Sequence, residues 1–312
     1  MERVGEKMSM RTRRIIVDVI LYVILSVLAI IWILPIVWLV LQSFSAEYGG
    51  EGSSLIPTNW GIYSYVELLS NRVFKGYFPG QNGELIPLWD VSQYNYVQWF
   101  LNTLLVAVIT TIISTLLVLF TSYAFSRLRF KSRKTMMKTI MVLGMFPGFL
   151  SMIILYQILD LVGLTYSLFG LILCYVGGAG MGYYVCKGFF DTVSKSIDEA
   201  AMLDGANKLQ IFYKITLPLA KPIIVYTVIT SFMGPWCDYI LSSYLLGGSI
   251  LTEQSGWTIA IGLYDMLMGQ STNVMYYTQF CAGAVLIAIP ISILFIFVQK
   301  YYVSGITGGS VK

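Results

Sequence analysis

Histidine is absent from this 312-residue sequence. The four cysteines, Cys174, Cys186, Cys237 and Cys281, show no CxxC spacing and lie in or beside apolar stretches. A zinc centre and imidazole acid–base catalysis therefore both lack their side chains, and no metal site is expected. Charged residues make up only 12% of the chain, and the phosphate-cradling pattern Gly-x-x-x-x-Gly-Lys-Ser/Thr does not occur in it. Any nucleotide that drives this protein must bind to another chain. Apart from Asp18 at the cytoplasmic edge of the first, Asp238 is the only carboxylate inside a predicted span, so the paired acids of a membrane-embedded enzyme are missing too. No catalytic residue and no cofactor of its own are expected.

What is abundant is apolar surface: 57% hydrophobic residues and a mean hydropathy of +0.74, far from soluble-domain values. Val19 to Leu41 is uncharged, and at about 1.5 Å per residue a helix of that length reaches about 34 Å, enough for a hydrocarbon core of about 30 Å. Its bulky continuation "WILPIVWLVLQSF" reads as a retained anchor rather than a cleaved signal peptide. Charge-free stretches predict an all-α polytopic bundle of six transmembrane helices over 15–43, 99–126, 139–159, 168–190, 222–245 and 278–300. Pro35 and Pro147 are expected to kink their spans.

Sidedness follows from the basic residues. With the N-terminal 1–14 in the cytoplasm, the loops 127–138 and 191–221 and the tail 301–312 also face inward, and they collect all of the 20 Lys and Arg except Arg72, Lys75 and two at span edges, Lys187 and Lys300. Both of those edge lysines sit at cytoplasmic ends, so retention of positive charge inside predicts both termini in the cytoplasm. The same bias explains the net charge of +4 without any nucleic acid partner. The expected location is a bacterial cytoplasmic membrane.

Outside lie 44–98, 160–167 and 246–277. In the first, "PTNWGIYSYVELL" predicts a short amphipathic helix with Trp60, Tyr63 and Tyr65 at the membrane surface, and "FPGQNGELIP" predicts tight turns. That loop fits a contact to an external partner and a lid over the bundle equally well. "GGAGMG" at 177–182 reads as close helix packing. Tyr156, Trp236, Asp238 and Tyr239 are candidate substrate-path residues, since aromatic rings stack on sugars, although core placement suits such rings as well.

The inward loop "SIDEAAMLDGANKLQIFYKITLPLAKP" is a polar island. Ser196 followed three residues later by Glu199 predicts a capping box, with Asp198 and Glu199 at the positive end of the helix dipole. Gly205 ends that helix; Leu209, Phe212 and Ile215 then recur at helical spacing, and Pro218 and Pro222 reset the chain. Ala200 and Ala201 present almost no bulk. Geometry alone fits a linker between spans and a platform for another protein equally.

"EAAMLDGANKLQIFYKITLP", with Glu199, Ala200, Ala201, Asp204, Gly205, Ile215, Leu217 and Pro218, resembles the EAA loop of permease subunits in binding-protein-dependent ABC importers. "FLNTLLVAVITTIISTLLVLFTSYAFSRLRF" and the ending "QKYYVSGITGGSVK" are similar to the six-span, maltose-type subunit of the carbohydrate branch, and the likeness covers most of 97–312. The resemblance implies the type I importer permease fold, with the EAA loop seated in a groove of a cytoplasmic ATPase. The tail residues Ser304, Gly305, Thr307 and Gly308 would enter the interface between two ATPase copies, which hold ATP and Mg. A second, unlike permease subunit and an extracytoplasmic sugar-binding protein would complete the assembly, the latter touched by Ser255, Gly256 and Trp257. The stretch 75–95 matches nothing in the family, and Cys237 stands where an asparagine is frequent. An ion-coupled secondary transporter is the competing reading; it would need a buried ionisable group, and Asp238, about 24 Å along its helix from Pro222, lies close to the outer interface.

Overall fold

The buried face of the longest packed helix repeats every four residues. In α3 (Tyr96–Arg127) the pairs Asn102–Thr103, Val106–Ala107, Thr110–Thr111, Ser114–Thr115, Val118–Leu119 and Ser122–Tyr123 are all buried. Small and hydroxyl-bearing residues at this spacing let neighbouring backbones approach closely where no hydrophobic effect drives helices together. Four residues overshoot one turn of 3.6, so the stripe winds slowly around the helix and meets several neighbours in succession. α3 therefore becomes the axis of the bundle.

The computed structural model describes residues 10–46, 56–79, 85–91, 94–247, 254–268 and 276–307. In chain order, α1 (Met10–Ser43) and α2 (Tyr63–Ser70) precede strands β1 (Arg72–Pro79) and β2 (Leu85–Val91), then α3. α4 (Arg133–Gly144), α5 (Gly148–Leu161), α6 (Leu168–Gly178) and α7 (Tyr183–Thr192) follow, with a 3-10 turn over Ala179–Gly182 joining the last two. Next come α8 (Lys195–Leu203), α9 (Lys208–Ile211), a π turn over Phe212–Thr216 and α10 (Leu217–Leu219). α11 (Lys221–Cys237), α12 (Ile240–Leu246), α13 (Ile259–Met268) and α14 (Tyr277–Thr307) complete the chain. β1 and β2 pair antiparallel, Arg72 opposite Val91, with a bulge between Phe74 and Gly76. This ribbon covers much of the stretch 75–95, and the other elements among the described residues are helical.

Among the described residues four helices are long and apolar enough to cross a membrane, and two bent pairs, each taken as one span, raise the number to six. The stretch 139–159 is not one straight helix: α4 and α5 meet at 102°. Pro147 causes the break, because its ring disfavours helical geometry at Phe146 and its nitrogen has no hydrogen to donate. The new helix starts at once, Leu150 N donating to Pro147 O at 3.0 Å. Pro35, by contrast, sits inside an unbroken α1. The stretch 222–245 is also divided: α11 ends at Cys237, Asp238 turns extended, and its Oδ1 accepts from Leu241 N at 3.1 Å to start α12.

The end of α3 nearest Trp99 holds the segment before α13. Asn102 Nδ2 donates to Ser255 O at 2.7 Å and to Trp257 O at 2.9 Å, while Trp99 Nε1 donates to Gln254 O at 2.7 Å. Thr103 Oγ1 donates to Trp99 O and accepts from Ile259 N. Trp99 and Trp257 stack at 5.7 Å, both fully buried. Glu67 on α2 accepts from Gln279 Nε2 on α14, and Tyr65 bonds Ser43 at the end of α1, tying the first loop to the bundle. α1 itself packs along α14 and exposes most of its length, as a lipid-facing helix does.

Gly262 on α13 lies under the Trp99 ring, where a β-carbon would come within 1.9 Å of the ring. Gly262→Val is expected to destabilise the fold by about 1–3 kcal/mol, the usual cost of overpacking. Gly178→Ala, with nothing within 4 Å of the added carbon, serves as the control. The check is the thermal midpoint of the detergent-solubilised protein; equal midpoints would refute the close approach.

Candidate functional site

The polar island folds as an elbow. Ser194, rather than Ser196, caps its first arm: Ser194 is extended and its Oγ accepts from Ser196 N at 3.3 Å. The predicted Ser196–Glu199 capping box is thus replaced, because α8 begins at Lys195 and both residues already lie within it, Glu199 exposed. The reciprocal box forms instead at the second arm, Asn207 Oδ1 accepting from Gln210 N and Gln210 Oε1 from Asn207 N, each at 2.8 Å. Between the arms, Gly205 takes φ +85°. Gly205 N donates to Met202 O and Ala206 N to Ala201 O, the paired bonds that close a helix through a left-handed glycine.

The second arm includes a π turn because Pro218 brings no N–H to the ladder, and the extra residue absorbs the misfit. It then meets α11 at 81°. Ala201, Asp204, Gly205, Ala206, Gln210, Lys214 and Ile215 line an open cleft of 410 Å³ between the arms. Of the expected docking residues, Ala201, Asp204, Gly205 and Ile215 meet there. Glu199 and Ala200 are exposed on α8, Leu217 is half-buried and Pro218 exposed on α10. Met202, Leu203, Leu209 and Tyr213 form a bare apolar rim, Leu203 at 90% exposure. Leu209 therefore faces away from the bundle, and Phe212 alone of its predicted trio is fully committed to the core.

What bolts the elbow down is the far end of α3. Arg127 donates from Nη2 to Phe190 O at 2.9 Å and to Val193 O at 2.8 Å, closing the exposed carbonyls at the end of α7. Its Nε lies 3.2 Å from Asp198 Oδ2 in the first turn of α8, and both side chains are buried. Asp198 Oδ1 and Arg127 Nη1 have no hydrogen-bond partner, so the pair fixes position more than it adds stability. Ser126 donates to Asp191 at 2.6 Å. Tyr123 OH donates to Lys208 O at 3.0 Å, and Phe212 packs on Tyr123 and Phe120 at 4.7 and 5.2 Å between ring centroids. Both arms are thereby attached to one helix. Sequence reading missed Arg127, Tyr123 and the role of Asp198; the only signal for them was the basic exit "SRLRF" following a buried stripe.

The other candidate residues are not gathered into one site. Trp257, a candidate for contact with a binding protein, is buried against Trp99; Ser255 is exposed and Gly256 half-buried beside it. Trp236 is buried edge-on against Phe100 at 5.1 Å, and Tyr239 stacks on Tyr264 at 4.0 Å. Tyr156 bonds Tyr166 through the hydroxyls and packs on Tyr244. Asp238 accepts from Tyr175 OH at 2.9 Å. These four candidates thus hold the bundle together, and Asp238 is engaged on both carboxylate oxygens. The helix α14 runs through Ser304, Gly305 and Thr307, while Gly308 lies outside the described residues. Among the described residues no group of His, Cys, Asp and Glu is arranged to hold a metal.

Removing Arg127 leaves Asp198 buried without a cation. Arg127→Leu is expected to cost about 3–5 kcal/mol, and adding Asp198→Leu to recover most of it, since a buried pair is replaceable but a lone buried charge is not. Thermal midpoints of the single and double variants decide this; a double variant less stable than the single one would contradict it.

The family described as binding-protein-dependent transport system inner membrane component matches residues 118–308, which contain the whole elbow. The galactooligosaccharides transport system permease protein GanQ of Bacillus subtilis is 35% identical over 97% of this chain and 99% of its own. The maltodextrin transport system permease protein MalD of Streptococcus pneumoniae is 34% identical, again over 97% and 99%. A crystal structure of a bacterial ABC transporter that imports the acidic polysaccharide alginate shares the fold, with a TM-score of 0.70 at 22% identity over 94% of this chain and 98% of that one. The chain belongs to the family of inner membrane components of binding-protein-dependent transport systems.

Proposed function

We propose that this chain is the permease subunit of an ATP-driven importer of carbohydrates, of oligosaccharide size. The elbow bolted to α3 carries the reading: it is a rigid, polar-capped surface with an open cleft and an unpartnered apolar rim, in a chain with no phosphate-binding loop of its own. The names of the relatives, galactooligosaccharide and maltodextrin permeases, support the substrate class.

In this reading the elbow faces the cytoplasm, where the basic loops concentrate, and sits in a groove of a separate ATPase that binds ATP and Mg. Closure of two ATPase copies displaces α8; Arg127 passes that displacement to α3 and α7, and the bend before α11 passes it to the next span. The bundle then exchanges between inward-open and outward-open states, an equilibrium biased by the partner's preference for one of them. A second, unlike permease subunit covers the apolar faces of α11 and α14. The tail from Ser304 to Gly308 reaches the ATPase pair, and Ser255 and Gly256 lie on the side that receives a sugar-binding protein; a solved alginate importer has been seen with its periplasmic protein bound.

Gly205→Val tests docking cleanly, because an added β-carbon there meets nothing within 4 Å and only the backbone angle resists it. Forcing a β-branched residue to φ +85° costs about 1–2 kcal/mol, which translates to roughly a 5- to 30-fold loss of ATPase copurifying with the inserted permease. Unaltered copurification and uptake would remove the docking role. Ion coupling is tested separately: with ATP held constant, an ionophore is expected to leave sugar uptake intact, and collapse of uptake would establish a secondary transporter instead.

A further inference from the structure

We propose that a hydroxyl-lined groove between α3, α6 and α11 is this subunit's own wall of the translocation path, and that it is built for an uncharged sugar chain rather than an acidic one. The inference rests on the import reading above and adds to it a location and a chemical class. The groove has a volume of 260 Å³ and is bordered by Thr110, Ser114, Tyr175, Thr227, Thr230 and Ser231. Thr110 and Ser114 lie near the middle of the 32-residue α3, and Thr227 to Ser231 near the middle of the 17-residue α11, so the groove sits at mid-depth of the bundle. Its volume is somewhat below the roughly 300–1,000 Å³ of a complete small-molecule site, as befits one side of a path shared with a second subunit.

Two of these hydroxyls are anomalous. A Thr or Ser within an apolar helix ordinarily returns its hydrogen to the carbonyl four residues earlier, as Thr103, Thr111 and Thr227 do here. Thr110 Oγ1 and Ser114 Oγ have no partner although their residues are only 3% and 1% exposed. A polar atom left unsatisfied in an apolar bundle is costly, and a transient hydrogen-bonding guest arriving in the groove is what would satisfy both. The opposite wall is kept low by Ala179 and Gly182, in the 3-10 turn that interrupts the span between α6 and α7; a β-carbon on Gly182 would touch Val118 at 3.6 Å.

Charge decides the class of guest. Among the described residues no Lys, Arg, Asp or Glu borders the groove, and Asp238, the carboxylate bonded to the lining residue Tyr175, is occupied by that hydroxyl. A neutral pyranose exchanges hydrogen bonds with water for equivalent ones with Thr and Ser, which is nearly even in free energy. A uronate would bring a carboxylate into a low-dielectric wall that offers no cation, a strongly unfavourable transfer.

The test uses the assembled transporter in proteoliposomes, with a neutral glucose trisaccharide and a uronate trisaccharide as probes. Thr110→Val with Ser114→Ala keeps side-chain volume and removes both hydroxyls. Sugar imported per ATP hydrolysed is expected to fall about fivefold for the neutral probe, the weight of one ordinary hydrogen bond, and Thr110→Ser to retain uptake. In a variant lacking the four native cysteines, Ser114→Cys is expected to react with a charged, membrane-impermeant thiol reagent and to be protected by the neutral sugar. Wild-type import ratios in the double variant, or an unreactive Ser114→Cys, would overturn the groove as a path while leaving the importer reading intact. Preference of the wild-type complex for the uronate would overturn the neutral class. Absence of any ATP-dependent sugar uptake would instead strike the importer reading itself, and the labelling of Ser114→Cys without sugar would still report whether the groove is a water-accessible route.

Discussion

One guanidinium holds three stretches of chain in register. Arg127 ends α3, takes the last carbonyls of α7 and faces Asp198 in the first turn of α8, so three elements cannot move independently without stranding a buried charge. Such a pair adds little net stability, because desolvation offsets most of the attraction. Its value is stiffness. The cost of separating the charges rises steeply with distance in a medium of low dielectric, which makes the junction behave as a joint rather than a contact. Tyr123 and Phe212 repeat the attachment on the second arm of the elbow, with a hydrogen bond and aromatic packing in place of charge.

The same helix serves both ends of the molecule. At its Trp99 end, α3 holds the segment before α13 by Asn102, Thr103 and a stacked tryptophan pair; at its Arg127 end it holds the elbow. Between them runs the four-residue stripe of small and hydroxyl residues. A continuous helix of 32 residues is the stiffest connection a chain of this size can supply, and in the proposed mechanism it turns a displacement at one face into a rearrangement at the other. Elsewhere the regular ladder of backbone hydrogen bonds is interrupted, at the left-handed Gly205, the π turn before Pro218 and the 3-10 turn at Ala179–Gly182 among other places.

The apolar faces complete the description. α1 is exposed along most of its length, and α14 presents Ile289, Ile293, Phe295, Ile296 and Phe297 outward. In water such surfaces would drive aggregation; in hydrocarbon they are already at rest, and the interior is selected by size and hydrogen bonding instead of by hydrophobicity. This is why the core of α3 reads as Thr, Ser and Ala while its outer face reads as Leu and Ile, the reverse of a soluble helix.

Several features were legible before any coordinates. Uncharged runs long enough to span a bilayer announce helices whatever surrounds them, because in lipid a backbone has to bond within its own segment. Gly205 announced a turn because only glycine accepts a positive φ without strain, and the EAA spacing around it identified the loop. What local pattern could not carry was the choice between equivalent partners. The helix at the elbow starts from Ser194 and not Ser196 because the chain leaves α7 extended at Val193, a matter of where α7 ends. Trp236 was a candidate for the substrate path and Trp257 for a contact to a binding protein, and their packing on Phe100 and Trp99 of α3 could not be read from local pattern. The unpartnered hydroxyls of Thr110 and Ser114 become visible only when α11 is packed opposite them. The sequence by itself determined that this chain lives in a membrane and carries a glycine-hinged polar loop, since both depend on bonds between near neighbours. The tertiary structure alone decided that Arg127 would hold that loop and that a polar groove would open at mid-depth, since both depend on groups brought together from segments dozens of residues apart.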